Sequence, residues 1–176
     1  VGNTSVGYRS GYSVTSGVKN TIVGSETGDA LTTGDFNVAI GQHALGSDDT
    51  GNKTVAIGTE SLYHQASDAD EDTENTAIGY AAGYTNVLGK SNTYAGFKAG
   101  YGGSGNESFN TGIGRNSLVA ITSGPQNTAV GNNSGEAITS GGQNTTLGDN
   151  AGDTLSTGSY NTIVGGSADV SASDSA

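Results

Sequence analysis

The chain lacks cysteine, methionine and tryptophan, and it holds a single proline among 176 residues. Without cysteine, no disulfide framework can stabilise the fold. The longest apolar run is the four residues from Leu118 to Ile121, so the sequence predicts no membrane insertion. The chain also begins without an initiator Met or a signal peptide, and we expect it to be a mature or excised part of a longer protein.

Basic residues are scarce, with six Lys and Arg against 17 Asp and Glu and a net charge of -11. Nucleic acids and anionic membrane surfaces are bound by basic patches, so the composition argues against both as partners. Only 32% of the residues are hydrophobic, which is too few for an ordinary globular core. Such a chain is either disordered or a repeat protein, because stacked copies share a core that no single copy could build.

Glycine is abundant, with 31 residues, and it recurs at a fixed phase. The stretch "NTAIGYAAGYTN" at 75–86 has counterparts in "NTYAGFKAGYGG" and "NTIVGSETGDAL". The glycines that close the Asn-Thr-x-x-Gly motif are separated by 17 residues, except for one interval of 21 and one of 18. We call these ten residues the corner glycines: Gly7, Gly24, Gly41, Gly58, Gly79, Gly96, Gly114, Gly131, Gly148 and Gly165.

Three further columns keep the same register. The Asn column, four residues before the corner glycine, holds Thr54 in the fourth copy and Asn in the others: Asn3, Asn20, Asn37, Asn75, Asn92, Asn110, Asn127, Asn144 and Asn161. The Thr column follows it, with Thr in eight copies and Val38 and Val55 in the other two. The Ile/Val column directly precedes the corner glycine and is branched and apolar in every copy except at Ala95.

These columns predict an all-β fold, a parallel β-solenoid or β-roll of about ten 17-residue rungs. Each rung is expected to contain a strand, a glycine corner, a second short strand and a turn, since repeated glycines disfavour helix and mark corners. Rungs about 4.8 Å apart give a rod about 45 Å long. Asn side chains stacked on one another are expected to form a ladder that also satisfies backbone groups of the turns.

Within a strand, the Thr and Ile/Val columns share one face. A rung offers only one or two large apolar residues, which is little for a wide single-chain solenoid. We therefore predict a homotrimer that pools its Ile/Val columns in a common core and partly buries the Thr column, with a thin monomer as the alternative. The predicted repetitive shaft spans residues 1–165, and the Ser-, Asp- and Ala-rich residues 166–176 are expected to be a tail or linker.

The repeats "NTAIGYAAGYTN", "NVAIGQHALG", "KTVAIGTESL" and "NTAVGNNSG" resemble those of phage and virus tail-fibre shafts. They are also similar to the repeats in the heads of trimeric autotransporter adhesins, which form trimeric parallel β-rolls. The resemblance covers about residues 3 to 165, and the 17-residue period favours the fibre group. It implies a trimeric rod that is extracellular or part of a virion.

The sequence predicts no enzyme and no required cofactor. His43 and His64 fall at unrelated phases of the repeat and are expected to be surface residues rather than catalytic ones. The four-residue insertion before Gly79 carries alternating carboxylates that are candidate Ca²⁺ ligands, although a solvated acidic bulge is favoured. These candidates are Asp68, Asp70, Asp72 and Glu74.

Aromatic residues follow the corners of three rungs, where they could bind sugars or a protein partner, although packing between neighbouring rungs or chains is favoured. They are Tyr8, Tyr12, Tyr80, Tyr84, Phe97 and Tyr101.

The function predicted from these features is that of a structural shaft in a virion tail fibre, which supports attachment to a host-surface glycan or protein. A bacterial cell-surface adhesin built from the same roll is the alternative. An ice-binding solenoid is a further alternative, because regular Thr columns can order water, but it requires an exposed Thr face. A polysaccharide-cleaving tailspike would need a carboxylate pair in a groove between chains.

Overall fold

A computed structural model describes residues 2–67, 71–102 and 107–170. These residues form ten strands of three residues each, one in every copy of the repeat, and contain no helix. The strands form one parallel sheet in the order of the sequence. They are β1 (Thr4–Val6), β2 (Thr21–Val23), β3 (Val38–Ile40), β4 (Val55–Ile57), β5 (Thr76–Ile78), β6 (Thr93–Ala95), β7 (Thr111–Ile113), β8 (Thr128–Val130), β9 (Thr145–Leu147) and β10 (Thr162–Val164). The predicted parallel β-solenoid is confirmed.

Equivalent residues of successive copies are paired across neighbouring strands. The register survives both insertions, since Ile57 pairs with Ile78 across the 21-residue interval and Ala95 with Ile113 across the 18-residue interval. The extra residues therefore fall between the strands. Nine steps of about 4.8 Å make the stack of strands about 45 Å long, as expected from the repeat count.

The second short strand that the sequence predicts after each corner glycine is absent from the described residues. In the third rung, His43 and Leu45 both have positive φ, 57° and 53°, where a strand requires negative φ. The turns nevertheless stack regularly, because the His43 N–H donates to Ser25 O at 3.1 Å and the Leu45 N–H to Ser61 O at 3.0 Å. A left-handed backbone conformation costs roughly 1–2 kcal/mol for each residue other than glycine. The amino-acid composition of the turns gives no sign of this conformation.

The core lies between the strands and the turns of a single chain. The middle residue of each strand from β2 to β9 is buried, for example Ile22, Ala39 and Tyr94. The turns contribute leucines four residues after the corner, such as Leu45 and Leu62, and aliphatic residues seven after it. The Ile/Val column takes no part in this core. A single chain thus closes a narrow core by itself. The side chains of one rung, which the sequence suggested were too small for a wide single-chain solenoid, are large enough to fill this narrow one.

The Asn column joins each rung to the next. The side-chain oxygen of Asn20 accepts a hydrogen bond from the Asn37 N–H at 2.8 Å, and its amide donates to Gly34 O at 2.8 Å. Most copies repeat this pair of bonds to the backbone of the following rung, and direct amide-to-amide bonds occur at Asn144 and Asn161. The ladder therefore bonds mainly from side chain to backbone, and it is interrupted at Thr54, which has no amide.

The stack continues beyond Gly165. The Ser167 N–H donates to Asp149 O at 2.7 Å, and Ala168 O accepts from the Gly152 N–H at 2.8 Å. Val170 packs against the core. The first residues of the segment predicted as a tail or linker thus cover the end of the last described rung.

Candidate functional site

The outer face of the sheet carries the Thr and Ile/Val columns side by side along the whole stack. Val6, Ile78 and Val164 are 57%, 45% and 62% exposed, although such side chains are usually buried. The Thr column ranges from half-buried to exposed in the single chain, so burial of the Thr column would require a partner. We call these two columns the sheet face.

The sheet face is free of charge. Its twenty positions hold no Asp, Glu, Lys or Arg, in a chain whose net charge is -11. Aromatic residues lie at both ends of the strands. Phe36, Phe109 and Tyr160 precede the Asn column, and Tyr8, Tyr80 and Phe97 follow the corner glycines. Of the thirteen large hydrophobic residues exposed in the described part of the chain, only Tyr12 lies away from the sheet face and these two edges.

The inside of the third to fifth rungs is polar. Asp48, Gln65 and Asn86 stand seven residues after the corner glycine, where other rungs carry Val14 or Leu31, and all three are buried. This group was not predicted from the sequence, because only the aliphatic members of that column pointed to the core. The polar residues at the same phase in three consecutive copies were the signal that could have revealed it.

The Asp48 carboxylate is fully hydrogen-bonded. It accepts from the Gln65 side-chain amide at 2.6 Å, from the Gly51 N–H at 3.1 Å and from the Ser67 N–H at 3.3 Å. Gln65 in turn accepts from the Asn75 amide at 2.9 Å. The same Gln65 amide also contacts the Thr54 hydroxyl at 3.1 Å, so the network fills the gap in the Asn ladder. Asp48 and Gln65 thus belong to one connected structural network, whereas Asn86 Oδ1 and Ser67 Oγ are buried without a hydrogen-bond partner among the described residues.

Tyr94 fills the interior of the sixth rung. Its ring replaces the small residue found in most strands, and it fits because Gly100 lies against it, where an added Cβ would come within 2.4 Å of the ring. Burial raises the pKa of the Tyr94 phenol well above its usual range, and the neighbouring Glu107 carboxylate adds to the effect. Glu107 is itself buried. Neither residue was anticipated from the sequence.

The acidic insertion is only partly described. Asp68 and Asp70 lie outside the described residues. Asp72 forms an ion pair with Lys53, and Glu74 accepts a hydrogen bond from the Ser91 hydroxyl at 3.4 Å. In the described ranges, no group of three or more His, Asp or Glu residues could hold a metal ion. Calcium binding at this insertion stays a prediction.

The histidines belong to a surface cluster of aromatic side chains. His43 Nε2 lies 3.4 Å from Glu26 Oε2. The His43 ring packs edge-on against the Tyr63 ring, with centroids 5.8 Å apart. His64 is exposed and packs edge-on against Tyr63 and Tyr84. These contacts are those of surface residues.

Two aromatic stacks run along the rod beside these histidines. Tyr63, Tyr84 and Tyr101 stack in consecutive rungs with centroids 5.6 and 5.1 Å apart. Tyr80 and Phe97 stack at 5.4 Å. Of the aromatic residues singled out in the sequence, four therefore pack between neighbouring rungs. The other two, Tyr8 and Tyr12, are 70% and 71% exposed.

The described residues include no helix long and apolar enough to cross a membrane. Comparisons with protein-family models, with curated proteins and with solved structures find no match for this chain. The sheet face is consequently the feature from which a function is argued.

Proposed function

We propose that the chain is the structural shaft of a virion tail fibre, and that three copies assemble through their sheet faces. The observation that carries the proposal is the uncharged Ile/Val column, which extends from Val6 to Val164 without interruption by a charge and is exposed in six of its ten copies and half-buried in the other four. An apolar surface of this length in contact with water is unfavourable, and identical faces around a threefold axis would cover one another.

The size of the face supports this assembly. Five residue steps separate Phe36 from the corner glycine Gly41, which corresponds to a width of about 17 Å. Over a rod about 45 Å long, the face and the edge before the Asn column cover on the order of 750 Å² per chain, similar to the roughly 800 Å² per partner of stable protein interfaces, and the row beyond the corner glycines stays outside it. The absence of charge matters because chains with a net charge of -11 would otherwise repel one another.

The proposed role is mechanical. Every rung hydrogen-bonds to its neighbours through the strands, the turns and the Asn column, which makes a stiff rod that can hold a recognition element away from its base. The resemblance of the repeats to tail-fibre shafts favours a virion over a bacterial surface adhesin. Antibodies raised against this segment would label purified virus particles in the first case and bacterial cell surfaces in the second.

The native mass in solution tests the assembly. Light scattering after gentle chromatography should give about 52 kDa, which corresponds to three chains of 17.3 kDa. A monomeric mass at micromolar concentration would contradict the trimeric shaft.

Ice binding is a second candidate because the Thr column is exposed in the single chain, for example at Thr128 and Thr145. The Thr and Ile/Val columns form a regular array with repeats of about 6.6 Å along the strand and 4.8 Å along the rod. Since we expect a trimer that covers this array, we expect no thermal hysteresis. A monomer that produces thermal hysteresis would establish ice binding in place of the shaft.

A further inference from the structure

Lys98 and Arg115 are held by aromatic rings rather than by carboxylates. Among the described residues, Lys53, Lys90 and Arg9 each pair with an acidic side chain. Within the described ranges, Lys98 and Arg115 form no such pair, although acidic residues outnumber basic ones almost three to one, 17 against six. Both lie over the same ring, that of Phe97.

The two aromatic stacks position these cations. The guanidinium of Arg115 lies 5.9 Å from the Phe97 ring centroid and extends the stack of Tyr80 and Phe97 into the next rung. The Lys98 ammonium lies between the stacks, 4.8 Å from the Tyr101 centroid and 5.7 Å from that of Phe97. Two positive charges and two half-exposed rings thus share one surface, which we call the cation–aromatic patch: Phe97, Lys98, Tyr101 and Arg115.

This arrangement leaves hydrogen-bond donors available. A cation over a ring face is attracted by the electron density of the ring and does not use its N–H groups for it. The Lys98 ammonium and the Arg115 guanidinium can therefore bind a carboxylate, and a guanidinium can do so with two parallel bonds. Phe97, which is 45% exposed, offers an apolar surface against which the C–H groups of a sugar ring can pack.

The charge of the whole chain selects among anionic partners. A net charge of -11 repels polyanions such as nucleic acid, in which every unit carries a phosphate. A sugar with a single carboxylate needs only local compensation by two cations, because repulsion from distant charges is screened beyond about 10 Å. We propose that the cation–aromatic patch binds a carboxylated sugar residue of a carbohydrate chain.

The inference goes beyond the proposed shaft function and does not require the trimer, because all four residues belong to one chain. The test uses the whole chain and 3′-sialyllactose, a short carbohydrate chain with a single carboxylate, as the probe, with its methyl ester as the neutral control. Calorimetry and saturation-transfer NMR should detect binding of the acid, weakening as salt is added, and at least tenfold weaker binding of the ester. Equal binding of acid and ester, or no binding of the acid at millimolar concentration, would overturn the proposal.

Substitutions locate the site. Lys98→Gln combined with Arg115→Gln should weaken binding of 3′-sialyllactose at least tenfold. Lys19→Gln is the matched control, because Lys19 also lies over a ring, that of Phe36 at 4.6 Å, far along the rod from the patch. Equal losses in both variants, or binding of hexathymidylate as tight as that of the acid, would reject a specific sugar site.

The native mass of each sample, measured in parallel, separates this proposal from the assembly. The Lys98 and Arg115 variants should keep the mass of the unmodified chain. A monomeric mass together with sugar binding would contradict only the trimeric shaft. A trimeric mass without sugar binding would contradict only the sugar site.

Discussion

At the scale of single residues, each inner corner glycine meets two requirements at once. Gly41 has φ of +127°, a conformation that other residues rarely adopt, and an added Cβ would lie 2.6 Å from the backbone C and O atoms of Gly58. The same contact recurs between successive corner glycines, so the column is held both by backbone conformation and by the closeness of the next rung.

We therefore expect Gly41→Ala to lower the free energy of unfolding by about 2–4 kcal/mol, from strain and from displacement of the next rung. Urea unfolding followed by circular dichroism measures the change. Gly166→Ala is the matched control, because its nearest non-neighbour atom is 3.9 Å away and its effect should stay within about 0.5 kcal/mol. Equal effects at the two positions would show that the corner does not need glycine.

Tyr94 should make stability depend on alkaline pH. Its pKa is raised in the folded chain by burial and then by Glu107, so the folded state keeps the phenol proton at a pH where the unfolded chain has lost it. Stability contributed by the neutral phenol is complete below the unfolded pKa of about 10 and falls as pH rises above it, by up to about 1.4 kcal/mol per pH unit.

Tyr94→Phe should remove this dependence between about pH 9 and about pH 11. At neutral pH it should cost less than about 1 kcal/mol, since the Tyr94 hydroxyl lies near the Asn110 side chain without a hydrogen bond of good geometry. Urea unfolding at the two pH values gives both quantities. Tyr12→Phe changes an exposed ring and should leave the pH dependence of stability as it is in the unmodified chain. If Tyr94→Phe shows the same pH dependence as the unmodified chain, Tyr94 is not its source.

At the scale of elements, the polar interior makes the third to fifth rungs differ from the rest. Identical rungs could pair out of order, because each offers the same edge to its neighbours. Asp48 and Gln65 satisfy each other only when their two rungs are adjacent. A buried polar network of this kind favours one register over others, at some expense in stability compared with an aliphatic column.

Asp48→Leu should therefore lower the free energy of unfolding by about 1–3 kcal/mol, although it restores the residue type found at Leu31. The substitution removes the acceptor of the Gly51 and Ser67 N–H groups and one of the acceptors of the Gln65 amide, which keeps its contact with the Thr54 hydroxyl. Asp48→Leu combined with Gln65→Leu should cost less than the sum of the single changes, as a double-mutant cycle by urea unfolding would show. Strictly additive costs would mean that the two side chains are not coupled.

The strands could be predicted from the sequence because their determinants are local. Asn-Thr-x-x-Gly fixes a strand and a corner in every rung, and a constant period fixes the parallel register. The conformation of the turns could not be predicted from the sequence. His43 and Leu45 adopt left-handed backbone only because stacked neighbours hold them there. The inner Tyr94 ring of the sixth rung also depends on space left by Gly100 in its own rung and by Gly83 and Gly112 in the adjacent rungs.

The candidate surfaces were predicted only in part. The shared face of the Thr and Ile/Val columns follows from the alternation of a strand. The alternation does not reveal which of the two faces of the strand closes the single-chain core. Small residues such as Ala39 are sufficient to fill the core of so narrow a solenoid. The cation–aromatic patch joins Lys98 and Arg115, which are 17 residues apart, and their unlike side chains gave no repeating pattern to follow.

At the scale of the whole molecule, the sheet face should decide the oligomeric state. Ile113 lies in the seventh strand with 43% of its surface exposed, so an acidic residue there would barely disturb the single chain. Ile113→Asp should abolish the trimer, because three buried carboxylates around an axis repel one another and lose hydration. Light scattering would report a monomer, while circular dichroism should stay unchanged.

Tyr12→Asp is the control for assembly. Tyr12 is 71% exposed but lies away from the sheet face, so its variant should remain trimeric. Dissociation of both variants, or of neither, would place the interface elsewhere.

The sequential order of the strands has a consequence for how such a gene can change. Each strand of the described residues pairs and makes contacts only with the strands before and after it, so a change of length would break no contact between distant strands. An in-frame loss or gain of seventeen codons removes or adds one complete step and shifts every later copy by about 4.8 Å along the rod. Recombination between copies can therefore tune the reach of the rod in fixed increments, provided that the crossover spares the rungs joined by Asp48 and Gln65.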